Sequence, residues 1–143
     1  MPPKWRPSTP PVTTKTMAEI LRFNSALFVH FWADWDGNDP VLDRTIQQLM
    51  PEFEWRVRFF SCETDNKENW ELLQRLNLKT VSSTSVLFLP NRHPRVIFGC
   101  QPLGVLSEEL KRCLAGQISI ESENRKTFSR ELNIPLDWLT RPI

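Results

Sequence analysis

The hydrophobic positions along the chain alternate between short continuous runs and helical spacing. The run from Ala26 to Trp32 is apolar at every position except His30, which is typical of a strand buried on both faces. From about Pro40, apolar residues recur every three or four positions up to Phe53, and this spacing predicts a long amphipathic helix. The first half of the chain therefore predicts a buried strand followed by a helix that covers it.

The second half of the chain predicts shorter elements of the same two kinds. Val57 to Cys62 is typical of a second buried strand, and the leucines between Trp70 and Leu76 predict a short helix. Two short strands, Val86 to Leu89 and Val96 to Phe98, flank a proline-bounded turn that is too short to hold a helix, so we expect them to pair antiparallel. Ser107 is suited to cap a final helix.

The two ends of the chain differ in composition from the middle. Residues 1–15 contain five prolines and little apolar surface, which predicts a disordered tail. The segment from Thr16 to Glu19 has the form of a capping box, so we expect a folded domain over residues 16–116 that begins with a helix. Residues 117–143 are a C-terminal extension whose place in the fold the pattern does not predict.

Charge and cysteine content narrow the functional classes. The 18 lysines and arginines nearly balance the 17 acidic residues, which disfavours general binding to nucleic acid. No apolar run approaches the roughly 18 residues of a bilayer helix, so we expect no membrane association. Cys62, Cys100 and Cys113 lack the spacing of a zinc site or a disulfide framework, and we expect a cytoplasmic protein.

The segment FVHFWADWDGND, from Phe28 to Asp39, resembles a conserved junction between strand and helix in the thioredoxin family. The family motif there is Phe-Trp-Ala-x-Trp-Cys-Gly-Pro-Cys, and this chain matches it at Phe31, Trp32, Ala33, Trp35 and Gly37. The resemblance extends over about residues 17–115 and includes Asp65 after the second strand and Gly99 at the end of the last strand. It implies an α/β fold, a three-layer α/β/α sandwich with a central mixed sheet of about four strands.

The same resemblance shows what the chain lacks. Asp36 and Asp39 stand where the family has its two redox cysteines, and carboxylates cannot perform dithiol exchange. The family also has a cis-proline facing the dithiol, but this chain has no proline between Pro51 and Pro90, so that position falls at Ser82, Ser83 or Thr84 and we expect a trans peptide there. His30 replaces a buried acid of the family, and we expect it to be a hydrogen-bonded core histidine.

The main functional hypothesis is a redox-inactive protein-binding, scaffold or chaperone-like module without a cofactor or a metal. The resemblance implies a groove that holds an extended peptide of another protein through backbone hydrogen bonds and an exposed tryptophan. The expected groove residues are Trp35, Gly37, Ser82, Ser83, Thr84, Gly99 and Cys100. Asp36 and Asp39 are expected to give this groove negative charge.

Three alternative hypotheses assign the function differently. Cys100 is a candidate for a single-thiol oxidoreductase or a redox sensor in cell redox homeostasis, although nearby carboxylates are expected to raise its pKa. A scaffold contact through Leu136 to Leu139 is the second alternative. A metal site is the third, but its oxygen ligands lack the glycine and glutamate of a calcium loop; these ligands are Asp34, Asp36, Asn38, Asp39 and Asp43.

The proline-rich N-terminal segment offers one further motif. Lys4 precedes the sequence Pro7-Ser-Thr-Pro10, which has the PxxP form of a polyproline II ligand. Short matches of this kind are common by chance, and a plain leader segment is the favoured interpretation.

Overall fold

The structure, a computed structural model, describes residues 5–23, 25–78, 83–90, 92–116 and 128–134. Its strands are β1 (Ala26–Trp32), β2 (Val57–Glu63), β3 (Thr84–Phe88), β4 (Arg95–Phe98) and β5 (Ser129–Glu131). Its helices are α1 (Thr14–Leu21), α2 (Asn38–Phe53), α3 (Trp70–Arg75) and α4 (Leu103–Leu114), and a 3-10 turn (Lys67–Asn69) precedes α3. Among these residues, no helix is both long enough and apolar enough to span a bilayer.

One mixed sheet forms the centre of the molecule, with the strand order β2-β1-β3-β4-β5. Strand β1 pairs parallel with β2 and antiparallel with β3, and β3 pairs antiparallel with β4. One hydrophobic cluster packs α2 and α4 against one face of the sheet, and a second cluster packs α1 and α3 against the other face. The predicted α/β/α sandwich is confirmed, with five strands instead of about four.

The fifth strand comes from the C-terminal extension. Strand β5 pairs antiparallel with β4, and the Phe98 amide donates a 2.7 Å hydrogen bond to the carbonyl oxygen of Phe128. Beneath this pairing, Arg95 Nε donates to a carboxylate oxygen of Glu109 at 2.7 Å and to Ser129 Oγ at 3.1 Å, all three side chains being buried. The apolar pattern did not predict this strand because main-chain and polar contacts attach it. The predicted contact segment Leu136 to Leu139 lies outside the described residues.

Residues 5–13 pack against the domain, so the prediction of a disordered tail is wrong for them. The Ser61 amide donates to the carbonyl oxygen of Pro10 at 2.8 Å, and the Val12 amide donates to that of Ser61 at 2.8 Å. The Trp5 ring lies edge-on to that of Trp32 at a centroid distance of 5.4 Å. Backbone pairing with a strand requires no apolar composition, which is why the sequence pattern missed it. Residues 1–4 lie outside the described residues.

The helices begin earlier than the sequence predicts. Helix α1 has Thr13 as its N-cap, with a capping box completed by Thr16, instead of a box from Thr16 to Glu19. Helix α4 begins after Pro102, so Ser107 lies within the helix, where its hydroxyl donates to a carboxylate oxygen of Glu52 on α2. The predicted cap at Ser107 is therefore wrong, and this side chain connects two helices.

The packing of the N-terminal segment predicts a cost for Val12→Ala. Val12 is 2% exposed within the cluster under α1 and α3, so we expect this truncation to lower the free energy of unfolding by about 2 kcal/mol. Val41→Ala on α2 is the matched control, since Val41 is 47% exposed and its loss is expected to change stability by less than about 0.5 kcal/mol. Urea unfolding measures both; equal midpoints would place residue 12 in a tail after all.

Candidate functional site

The candidate site begins at the loop between β1 and α2. Asp36 accepts a 2.9 Å hydrogen bond from the backbone amide of Asn38, the first residue of α2. This bond satisfies one of the amides that a helix N-terminus leaves without an intrahelical partner. Asp36 thus caps the helix through its side chain, although Gly37 is the N-cap residue by backbone geometry.

Asp39 is buried completely and its carboxylate accepts three hydrogen bonds. Its Oδ1 accepts hydrogen bonds from His30 Nε2 and from the backbone amide of Ser83, both at 2.8 Å. Its Oδ2 receives the backbone amide of Ala33 at 3.0 Å. With an exposed fraction of 0%, Asp39 does not add surface charge to a groove as the sequence suggested. Asp39 thereby connects strand β1, the loop that follows β1 and the segment before β3.

His30 meets Asp39 because side chains alternate along a strand. Phe28 packs in the cluster under α2 and α4, and His30, two positions further along β1, points to the same face. The first turn of α2 brings Asp39 onto this face. Because two backbone amides also point at the Asp39 carboxylate, His30 Nε2 is the donor in their contact, and the expectation of a hydrogen-bonded core histidine is confirmed. Its Nδ1 has no partner among the described residues.

Ser83, one of the three residues at which the resemblance places the cis-proline, is held on several sides. Its backbone has a positive φ of 51°, its amide donates to Asp39, and its carbonyl oxygen accepts the Gly99 amide at 2.8 Å. Its hydroxyl donates to Asp36 Oδ2 at 3.3 Å. The described residues contain no cis peptide bond, and Ser82 lies outside them. Ser83 and Thr84 are both buried, so their side chains contribute little surface to the predicted groove.

Trp35 provides the largest exposed side chain of the site. It is 63% exposed, and its indole Nε1 donates a 2.7 Å hydrogen bond to Asp65 Oδ2. Asp65 follows β2, which runs parallel to β1, so the two strands end side by side and bring the pair together. This bond fixes the orientation of the ring while leaving its surface accessible.

Cys100 is the last side chain of the candidate site. Its Sγ donates to the carbonyl oxygen of Asn38 at 3.1 Å, which places it beside the start of α2. Burial raises the pKa of the Cys100 thiol above its ordinary value, the Ser83 hydroxyl partly offsets this, and the negative charges of Asp39 and Asp36 raise it further. This direction agrees with the sequence-based expectation, with burial as the larger cause. A thiol that stays protonated is a poor nucleophile.

Sequence comparison gives distant curated relatives, and no family model matches. Thioredoxin M4, a chloroplastic protein of Arabidopsis thaliana, is 25% identical over 96 residues. The match covers 67% of this chain and 48% of the relative, so the chain spans about half the length of that protein.

Comparison with solved structures identifies the fold. The crystal structure of chloroplastic thioredoxin z superposes with a TM-score of 0.64 at 22% identity, covering 78% of this chain and 99% of the other. The chain has a thioredoxin-like fold. A chain from the structural study of thiol resolution in yeast mitochondrial 1-Cys peroxiredoxin agrees, with a TM-score of 0.62, 22% identity, and coverage of 73% of this chain and 94% of the other.

The two positions of the motif at which the family has cysteines hold Asp36 and Asp39, so neither carries a thiol. The two cysteines besides Cys100 lie in the core. Cys62 on β2 and Cys113 on α4 are buried and unpaired. Burial is the main reason that the pKa of each thiol rises to about 12. Neither thiol is suited to exchange chemistry.

Two of the candidate metal ligands, Asp39 and Asp43, form other contacts. Asp43 accepts hydrogen bonds from the amide and the hydroxyl of Ser8, both at 3.0 Å, and from Gln47. Asp39 is occupied by His30 and two amides. Within the part of the chain that the structure describes, no three His, Cys, Asp or Glu side chains form a group able to hold a metal ion.

Sequence reasoning identified His30, Asp39 and Ser83 separately but missed their connection. Two signals were available: the period of β1 places His30 toward α2, and the second motif position lies in the first turn of that helix. The contact of Ser8 with Asp43 carried no comparable signal, because Ser8 lies in a segment without an apolar pattern.

The connection predicts that Asp39→Asn is far more costly than Asp36→Asn. An amide at position 39 sets an N–H group against a backbone N–H in either orientation, so we expect a loss of about 3 kcal/mol in the free energy of unfolding. Asp36 is half-buried, and an amide oxygen still accepts the Asn38 amide, so we expect a loss below about 1 kcal/mol. Urea unfolding of the two variants checks this, and comparable losses would contradict the structural role of Asp39.

Proposed function

We propose that this thioredoxin-like domain is a redox-inactive module that binds another protein or peptide. The observation that carries the proposal is the state of Asp39, the residue at the second cysteine position. Its carboxylate is buried and bound to three donors, so this position serves the fold instead of electron transfer. A carboxylate at Asp36 likewise offers no thiol to attack a disulfide.

Trp35 is the anchor of the proposed binding surface. Exposed tryptophans held in one orientation contribute large contact area at low entropic cost, and they are enriched among residues that dominate binding energy. The 2.7 Å bond to Asp65 supplies that orientation. Asp36, Gly37 and Cys100 border the surface, and the backbone amide and carbonyl of Ser83 are already bonded within the domain. The proposed contact therefore depends on side chains more than on backbone pairing at Ser83.

The proposed partner is a protein or peptide and the proposed compartment is the cytoplasm. The unpaired state of the three cysteines agrees with a reducing environment. Thioredoxin M4 and thioredoxin z, two of the similar proteins, are chloroplastic.

We expect Trp35→Ala to weaken peptide binding while Trp55→Ala does not. Linear peptides are selected from a displayed random library on the immobilised full chain, and fluorescence polarisation then measures their affinity. Losing the anchor is expected to raise Kd by a factor of about 30, equivalent to roughly 2 kcal/mol. Trp55 is the matched control because it is 91% exposed and lies at the other end of α2. A library that yields no binder, or equal losses in both variants, would contradict the proposal.

Cys100 carries the alternative, a single-thiol oxidoreductase or redox sensor, because it is exposed beside the α2 N-terminus. We expect no reduction of insulin disulfides above background by the wild type or by Cys100→Ser, with an active thioredoxin as positive control. Iodoacetamide labelling of Cys100 is expected to titrate above the unperturbed pKa of about 8.5. Reduction that disappears in Cys100→Ser would favour the enzyme instead.

A further inference from the structure

A second surface feature lies at the opposite end of the sheet. An open cleft of about 430 Å³ is formed by the loops that precede β1 and β2, the β3–β4 hairpin and the end of α4. These segments meet there because β1 and β2 are parallel, with Ala26 opposite Val57, while β3 ends beside the start of β1, with Phe88 opposite Leu27. The lining includes Ser25, Ala26, Arg56, Leu89, Arg92 and Leu114.

Two arginines line this cleft from different elements. Arg56 precedes β2, and its guanidinium carbon lies 5.4 Å from the centre of the Phe53 ring. Arg92 lies in the hairpin, and its Nη1 donates to the carbonyl oxygen of Cys113 at 2.9 Å in the last turn of α4. Each side chain is thus held in place by a contact with an uncharged group.

The charge balance of the cleft favours an anion. Neither Arg56 nor Arg92 forms a salt bridge with a carboxylate among the described residues. Glu52, whose pKa Arg56 helps to lower, is engaged by Ser107 and by Lys111 at 3.4 Å. Guanidinium groups bind phosphate through paired N–H donors, and two arginines line this one cleft.

The rest of the lining is apolar and favours an organic body on that anion. Ala26, Leu89 and Leu114 line the cleft beside the two arginines. A volume of this size holds a small molecule larger than inorganic phosphate, and ligand sites combine apolar walls with a few convergent polar groups. We propose that the cleft binds a small organic phosphate monoester, with its phosphate between Arg56 and Arg92.

This site is independent of the proposed peptide surface. The two lie at opposite ends of β1, a strand of seven residues that spans about 20 Å. Failure of one proposal therefore leaves the other standing.

Calorimetric titration of the full chain with phenyl phosphate at low salt tests the site. We expect saturable binding of one molecule per chain, and a loss of about tenfold in affinity for Arg56→Gln and for Arg92→Gln. Arg58→Gln is the matched control, since Arg58 lies over the Phe60 ring at 5.2 Å much as Arg56 lies over Phe53, but it does not line the cleft. Its affinity is expected to stay within about twofold of the wild type.

Inorganic phosphate and benzyl alcohol are the ligand controls. Inorganic phosphate lacks the apolar body and benzyl alcohol lacks the anion, so each is expected to bind at least about fivefold more weakly than phenyl phosphate. Arg56→Gln keeps the test decisive if Arg92→Gln disturbs the end of α4. The proposal is overturned if no saturation occurs up to about 10 mM phenyl phosphate, if inorganic phosphate binds as tightly, or if Arg58→Gln loses as much affinity as Arg56→Gln.

Discussion

The buried carboxylate of Asp39 is the constraint on which the site depends. A buried carboxyl group is tolerated when donors face its oxygen atoms, and here the donors come from β1, from the loop after it and from the segment before β3. These contacts fix where α2 begins relative to the sheet. The contact with the Ser83 amide also excludes a proline at position 83, because proline has no N–H to donate.

Much of the fold was predictable because it depends on apolar patterns. The apolar runs around β1 and β2 identified the central sheet, and the apolar spacing along α2 identified a helix that covers it. The motif between β1 and α2 located the loop that bears Trp35 and Asp36. The role of Asp39 was not predictable from type or spacing alone. It depends on α2 beginning at Asn38, before Pro40, which turns a residue expected at the surface into the interior.

The elements that sequence reasoning missed share a physical cause. Residues 5–13 and β5 are attached by backbone hydrogen bonds and by polar side chains such as Ser8 and Ser129. Such contacts leave no periodic apolar signature, and proline-rich or charged composition argues against structure when taken alone. Their partners, Asp43 on α2 and Glu109 on α4, lie far away in sequence.

The backbone pairing of the N-terminal segment has a consequence for how this molecule behaves in a crowded solution. A sheet edge with unpaired amides is a template for strands of other chains and a route to aggregation. Here Pro10 and Val12 occupy the amide and carbonyl of Ser61 on one outer strand, and the other outer strand, β5, is only three residues long. Proline at an edge and a short terminal strand are both known deterrents to such pairing. The outer edge of β2 is thereby paired at Ser61, and β5 offers only a short edge to a strand of another chain.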